Sequence, residues 1–172
     1  VTRCGKIQDD VFDQSLKWVE YYLQINPEVL SIKLVIFGGE PLLEKEIMCR
    51  AIIQFQALAS KLRKEFWVEI TTNGVLIDQS TISFLGDHVC RNVQITLDGP
   101  KTIHDIRRHQ TDGEPTFDRI ISNIRLLLES EKVESANIRI SVDEDNVDQI
   151  PELIPFLASF GKQDKVLLSF GI

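Results

Sequence analysis

Glu40 follows an apolar run and two glycines in KLVIFGGEPLL, residues 33–43. A carboxylate and free backbone carbonyls are all hydrogen-bond acceptors, so this turn could hold an amine. Gly38 and Gly39 carry no side chain and reach backbone angles closed to other residues, which suits a point where a ligand or a second backbone comes close. Pro41 has no N–H to donate and leaves the edge of the segment open. A tight turn with a solvent-facing glutamate explains the same four residues equally well, so the other strand ends must decide.

Three later apolar runs stop in a similar way. FWVEIT at 66–71 runs into Thr72-Asn73-Gly74, NVQITL at 92–97 into Asp98-Gly99-Pro100, and NIRISV at 137–142 into Asp143-Glu144-Asp145-Asn146. Each ending alone is ordinary turn chemistry, because Gly, Asn and Asp are the common turn formers. Four together describe a shallow polar rim instead of an apolar pocket.

Helical and strand periodicities show what must position these ends. A helix is expected over 9–25, capped by Asp9, Asp10 or Asp13 and ended by Asn26-Pro27. Val35, Ile36 and Phe37 suggest a strand over 34–37 buried on both faces. Helices follow at 44–64, at 78–85 behind an Asp78 cap, at 117–131, and at 147–160 with Gly161 as its stop. Strands are expected at 66–71, 92–97, 136–142 and 166–170. The stretch 101–115, with His104, Asp105, Arg107, Arg108 and His109, reads as a long polar loop placed to face substrate, although for Arg107 and His109 ordinary exposed loop charge is the favoured reading. Strand and helix alternating in this way define an α/β fold with a parallel sheet and right-handed crossovers. All strand carboxyl ends then share one side, where α/β proteins hold their ligands.

Composition narrows the partners. The 172 residues are 43% apolar and 26% charged, as in a soluble globular domain, and the net charge of −7 includes no basic cluster. Nucleic acid is therefore not expected as a partner. No apolar run of membrane-spanning length occurs, and VTRCGKIQDD at the start lacks the apolar core of a signal peptide, so no membrane is expected and a cytoplasmic location is. A first residue other than Met and the apolar end LLSFGI read as an excerpt of a longer chain. Cys4, Cys49 and Cys90 are scattered, which encodes neither a disulfide framework nor a CxxC metal knuckle; Cys49 and Cys90 are expected as buried small side chains.

Taken in order, Gly38-Gly39-Glu40-Pro41, Thr72-Asn73-Gly74, and Thr96-Leu97-Asp98-Gly99-Pro100 followed by His104, Asp105 and Arg108 resemble the radical S-adenosylmethionine enzymes. The similar branch modifies peptides and proteins, and includes anaerobic sulfatase-maturing enzymes and enzymes with a SPASM-type extension. The resemblance implies a TIM-barrel-like partial barrel of six β/α units, incomplete in this chain, with residues 1–172 forming a single domain. It implies S-adenosylmethionine lying across the strand ends, its methionyl amine received by Gly38, Gly39 and Glu40. Thr96 and Arg108 match cofactor-contacting positions, Thr72 and Asn73 lie nearest the ribose, and Ser141 stands on the same rim. Asp98 is expected to orient its own turn. A peptide or protein substrate and a reductant such as flavodoxin or ferredoxin are the implied partners.

One departure matters. In the family, three thiolates of a CxxxCxxC motif hold a 4Fe-4S cluster, and reduction of S-adenosylmethionine there gives a 5′-deoxyadenosyl radical. This chain has no such motif, and Cys4 sits too near the first helix to replace it. The expectation is a piece lacking the cluster-binding strand and any C-terminal SPASM domain, inactive as it stands. The alternative is a degenerate barrel that binds a peptide without catalysis. An unrelated enzyme for a phosphorylated ligand would put a glycine turn and a basic residue at a helix N-terminus, whereas GGEPLLEKE puts carboxylates there.

Overall fold

A computed structural model describes residues 7–171. Strands β1 (Ser31–Ile36), β2 (Glu65–Thr72), β3 (Cys90–Thr96), β4 (Ser135–Ser141) and β5 (Val166–Gly171) form one sheet, parallel throughout, in the order of the chain. Helices α1 (Asp9–Ile25), α2 (Lys45–Lys61), α3 (Gln79–Asp87), α4 (Lys101–Arg107), α5 (Phe117–Ser130) and α6 (Ile150–Ala158) alternate with them, α4 and α5 sharing one crossover. Because every crossover steps the same way, right-handedness sends the connecting helices to one face. A doubly wound sheet would reverse direction and cover both faces. The fold is therefore α/β, a sector of a (β/α) barrel.

The two faces differ in chemistry because side chains alternate along a strand. Val68 and Ile70 of β2, Val93 and Ile95 of β3, and Ile138 and Ile140 of β4 are buried against Ile52 of α2, Ile82 of α3, Ile120 and Ile124 of α5, and Leu153 of α6. The intervening residues form the inner face and are mostly polar: Lys33, Glu69, Thr71, Asn92, Gln94, Thr96, Asn137 and Arg139. Strand β1 corrects the expectation of burial on both sides. It is the edge strand of the described sheet; Ile32 is buried, but Val35 and Phe37 are exposed, Phe37 at 75%.

The alternation is as the sequence indicates, with three local differences. Stretch 101–115 is not one loop, since Pro100 with φ −58° leads directly into α4. Helix α6 starts at Ile150, after a run of turns across 144–149. Helix α1 has Gln8 as its N-cap, with no side-chain cap, and Asp9 and Asp10 lie in its first turn. Asp78 does cap α3, accepting from the Thr81 N–H at 2.8 Å while Lys45 Nζ donates to its other oxygen at 2.8 Å. The lysine holds the Asp78 carboxyl well below the usual carboxylate range. Cys90 is buried and Cys49 half-buried; burial pushes the Cys90 thiol up to about 12. Cys4 lies outside the described residues. No helix among the described residues is long and apolar enough to cross a membrane.

Gly74, in the turn after β2, has φ +83°, and a Cβ there would come within 2.8 Å of Ile95 Cγ2. Gly113 has a similar φ of +89° with open space around it. Gly74→Ala is expected to cost roughly 2–4 kcal/mol in urea unfolding, combining a left-handed backbone with overpacking. Gly113→Ala should cost only about 1–2 kcal/mol, the backbone component alone. Equal costs would show that the Ile95 contact is not what selects glycine.

Candidate functional site

Parallel strands place the four polar endings at one edge, and long-range hydrogen bonds tie them into two clusters. The first centres on Glu40, which caps a 3-10 turn over Pro41–Glu44 by accepting from the Leu42 N–H at 3.0 Å. The same oxygen, Oε1, accepts from the Thr72 hydroxyl at 2.7 Å, and Oε2 from the Asn73 N–H at 2.7 Å. Thr72 Oγ1 then accepts from the Gly74 N–H, and Asn73 Oδ1 from the Val75 N–H. Asn123 of α5 donates to the Gly74 and Val75 carbonyls. Three donors therefore occupy the carboxylate expected to face an amine, and its first role is to brace the β1 turn against the β2 turn. Above Gly38 and Gly39 the space is open, with nothing within 4 Å of a Cβ added at either.

The second cluster is built on Asp98, only 2% exposed. Its Oδ2 accepts from Arg108 Nε at 2.5 Å and its Oδ1 from the Ser141 N–H at 3.0 Å. A carboxylate so placed requires paired donors, since an uncompensated buried charge is costly. Fully buried Asn146 donates to the Asp98 carbonyl at 2.9 Å and to the Ser141 carbonyl at 2.7 Å, which locks the ends of β3 and β4 together. Arg107 forms a two-point ion pair with Asp143 at 2.9 and 2.6 Å, and that pairing raises its pKa while lowering that of Asp143. Arg107 thus clamps α4 to the β4 turn and is not free loop charge.

His104 is fully buried and does not face substrate. The Asp98 N–H donates to its Nδ1 at 3.2 Å, so the ring proton must sit on Nε2, which lies 3.1 Å from Thr116 Oγ1. That hydroxyl in turn donates a hydrogen bond to the Arg108 carbonyl at 2.5 Å. Burial lowers the His104 pKa to about 4, with nearby Asp105 and Asp98 opposing the shift. Asp105 instead accepts from the Thr116 and Phe117 N–H groups at the start of α5. His109 is exposed and bonds the Gln110 carbonyl.

Of the residues singled out by sequence, Glu40, Thr72 and Asn73 are joined in one cluster, and Asp98, Arg108 and Ser141 in the other. Asn73 and Arg108 also line one cleft of about 240 Å³ with Arg107, His109 and Thr116, which makes the rim continuous. Thr96 ends β3 on the inner face, in register with Arg139, and its hydroxyl has no hydrogen bond among the described residues. Gly38 and Gly39 stand at the open β1 end. Sequence reasoning missed Asn146 and Asn123, whose only local signal was an asparagine near a turn or on a helix. Among the described residues no group of three or more His, Cys, Asp or Glu side chains could hold a metal ion, so they do not fit a 4Fe-4S cluster.

The Radical SAM superfamily pattern matches residues 5–168. The chain belongs to that superfamily. It is 32% identical over 133 residues to the cysteine-type anaerobic sulfatase-maturating enzyme of Clostridium novyi (strain NT), covering 77% of this chain and 34% of the relative. The structure of native anSMEcpe with bound AdoMet superposes with a TM-score of 0.78 at 26% identity, over 99% of this chain and 44% of that one. The same enzyme with bound AdoMet and the Kp18Cys peptide gives 0.76 at 26% identity, over 98% of this chain and 43% of that one. The chain thus spans about a third of the curated relative it matches.

Because His104 binds its proton more weakly folded than unfolded, the unfolded state takes up more protons between about pH 6.5 and pH 4. Its contribution to stability is complete above pH 6.5 and declines as the pH falls through that window, by roughly 3 kcal/mol in total. Urea titrations at pH 7, 6 and 5 should show this decline, and His104→Gln should flatten it. A decline of the same size in the variant would assign the proton uptake elsewhere.

Proposed function

We propose that this chain is the S-adenosylmethionine-binding sector of a radical enzyme that modifies a peptide or protein substrate. The observation that carries the reading is the continuous rim at the strand carboxyl ends, two strapped clusters sharing the Asn73–Arg108 cleft. It is supported by the family and by the AdoMet and peptide bound to the structural relatives. S-adenosylmethionine bound there would supply, given one electron from a 4Fe-4S cluster held outside the described residues, a 5′-deoxyadenosyl radical for hydrogen abstraction, with methionine released. A soluble reductant such as flavodoxin or ferredoxin and a cytoplasmic setting accord with that chemistry.

This chain's residues bind and orient. The open face over Gly38 and Gly39 admits the methionyl amine, and the Glu40 brace, through the buried Thr72, sets the distance from there to the exposed Asn73, which takes the ribose. Thr96 offers an uncommitted hydroxyl. Arg108, anchored at Nε by Asp98, presents its terminal nitrogens to the cleft, and Ser141 closes the rim beside it. Orientation of this kind supplies several kcal/mol toward a reaction barrier. A non-catalytic peptide-binding barrel is the second reading, favoured by the absence of a cluster site among the described residues.

Glu40→Gln turns an acceptor into a donor facing Thr72 and Asn73, and calorimetry should show S-adenosylmethionine binding weakened by about tenfold or more, ~1.4 kcal/mol. Thr72→Val should weaken it less. Unchanged affinity in both variants would remove the brace from the binding site. Codons upstream of Val1 should encode three closely spaced cysteines, and the encoded protein, reconstituted anaerobically with dithionite, should release 5′-deoxyadenosine. Missing cysteines and no product would favour the non-catalytic barrel.

A further inference from the structure

The inner wall of the sheet carries a charge that its own residues leave unanswered. Barrel interiors are ordinarily filled by branched apolar side chains, yet here polar residues form successive layers. Gln94 lies 3.4 Å from Thr71 Oγ1 and 3.5 Å from Asn137 Nδ2, and Lys33 is neutralised across the wall by Glu69 at 3.0 Å. The next layer toward the carboxyl ends is Thr96, Arg139 and Ser169 in register. Among the described residues the exposed Arg139 side chain has no ion pair and no hydrogen bond, although its carbonyl accepts from the Leu97 N–H at 2.9 Å. Its guanidinium leans over Gly171, where a Cβ would sit 3.0 Å from Nη2. Beside it, Ser169 Oγ and Asn137 Oδ1 are buried polar atoms without a partner.

We infer that Arg139 is a carboxylate-binding residue of the inner wall, and that the peptide substrate places an Asp or Glu side chain against it. The inference rests on the cofactor-and-peptide reading above. A planar guanidinium with free donors matches a carboxylate in two-point geometry, and Arg139, exposed on the open inner face beside two unpartnered polar atoms, is accessible to such a partner. Asn137 Oδ1 accepts and Ser169 Oγ donates, which suits the N–H and C=O of the same peptide segment. The methionyl carboxylate is the other source of this chemistry, but it shares a carbon with the amine assigned to the β1 turn. Arg139 starts three strands away on β4, about 14 Å at normal strand spacing, and leans further off toward β5.

The test uses two blocked peptides, Gly-Ser-Asp-Ser-Gly and its Asn counterpart, titrated with and without saturating S-adenosylmethionine. Dissociation constants and the Arg139 Nε–H nuclear magnetic resonance signal are read together. The Asp peptide should bind at least tenfold tighter and shift the Arg139 signal. Arg139→Gln should abolish that preference, Arg139→Lys should keep part of it, and S-adenosylmethionine affinity should stay within twofold in both. Equal binding of the two peptides, no binding of the Asp peptide, or a preference that survives Arg139→Gln overturns the proposal. A tenfold loss of S-adenosylmethionine affinity in Arg139→Gln also overturns it, assigning the residue to the cofactor. If the unaltered protein binds no S-adenosylmethionine, the functional reading fails, while the Asp-over-Asn preference measured without cofactor is decided on its own.

Discussion

The buried carboxylate of Asp98 organises the site. An ion this inaccessible is tolerated only when its oxygens are supplied with donors, and here those donors come from two other parts of the chain, Arg108 after α4 and the Ser141 N–H at the end of β4. Satisfying one charge thereby fixes where α4 ends and how far β4 extends beside β3. Asn146 repeats the constraint with neutral bonds to both strand-end carbonyls, and His104 holds the Asp98 N–H from below.

Glu40 performs the same service on the other side of the rim. Its two oxygens gather Leu42, Thr72 and Asn73, so the flexible glycine pair before it is tied to a neighbouring turn. A glycine-rich turn needs this support. The freedom that lets Gly38 and Gly39 admit a ligand would otherwise let the turn wander, and orientation is lost when a binding group moves by an ångström or so.

Behind the rim the sheet separates two environments. Its outer face meets the helices through Val, Ile and Leu and carries the packing energy, while its inner face keeps polar side chains at positions that a closed apolar interior would fill. Buried polar atoms without partners are rare in folded proteins. Ser169 and Asn137 hold such atoms beside the unpaired Arg139 side chain, where the proposed peptide carboxylate would meet the inner wall.

Much of this was legible in the chain itself. Period-two and helical patterns located all five strands, turn residues marked their ends, and the order of elements required a parallel sheet with those ends on one side. The Asp78 cap was visible because it is local, three residues from the N–H it bonds. The sequence by itself thus determined the alternation and the polar rim. Only the tertiary structure decided that Glu40 is a brace, that His104 and Asn146 are buried fasteners, that Arg107 is clamped to Asp143, and that β1 leaves one face open. Those outcomes depend on partners more than thirty residues away or, for His104, on burial by α5. Local propensity carries no information about which distant donor will reach a given carboxylate once the strands are in register.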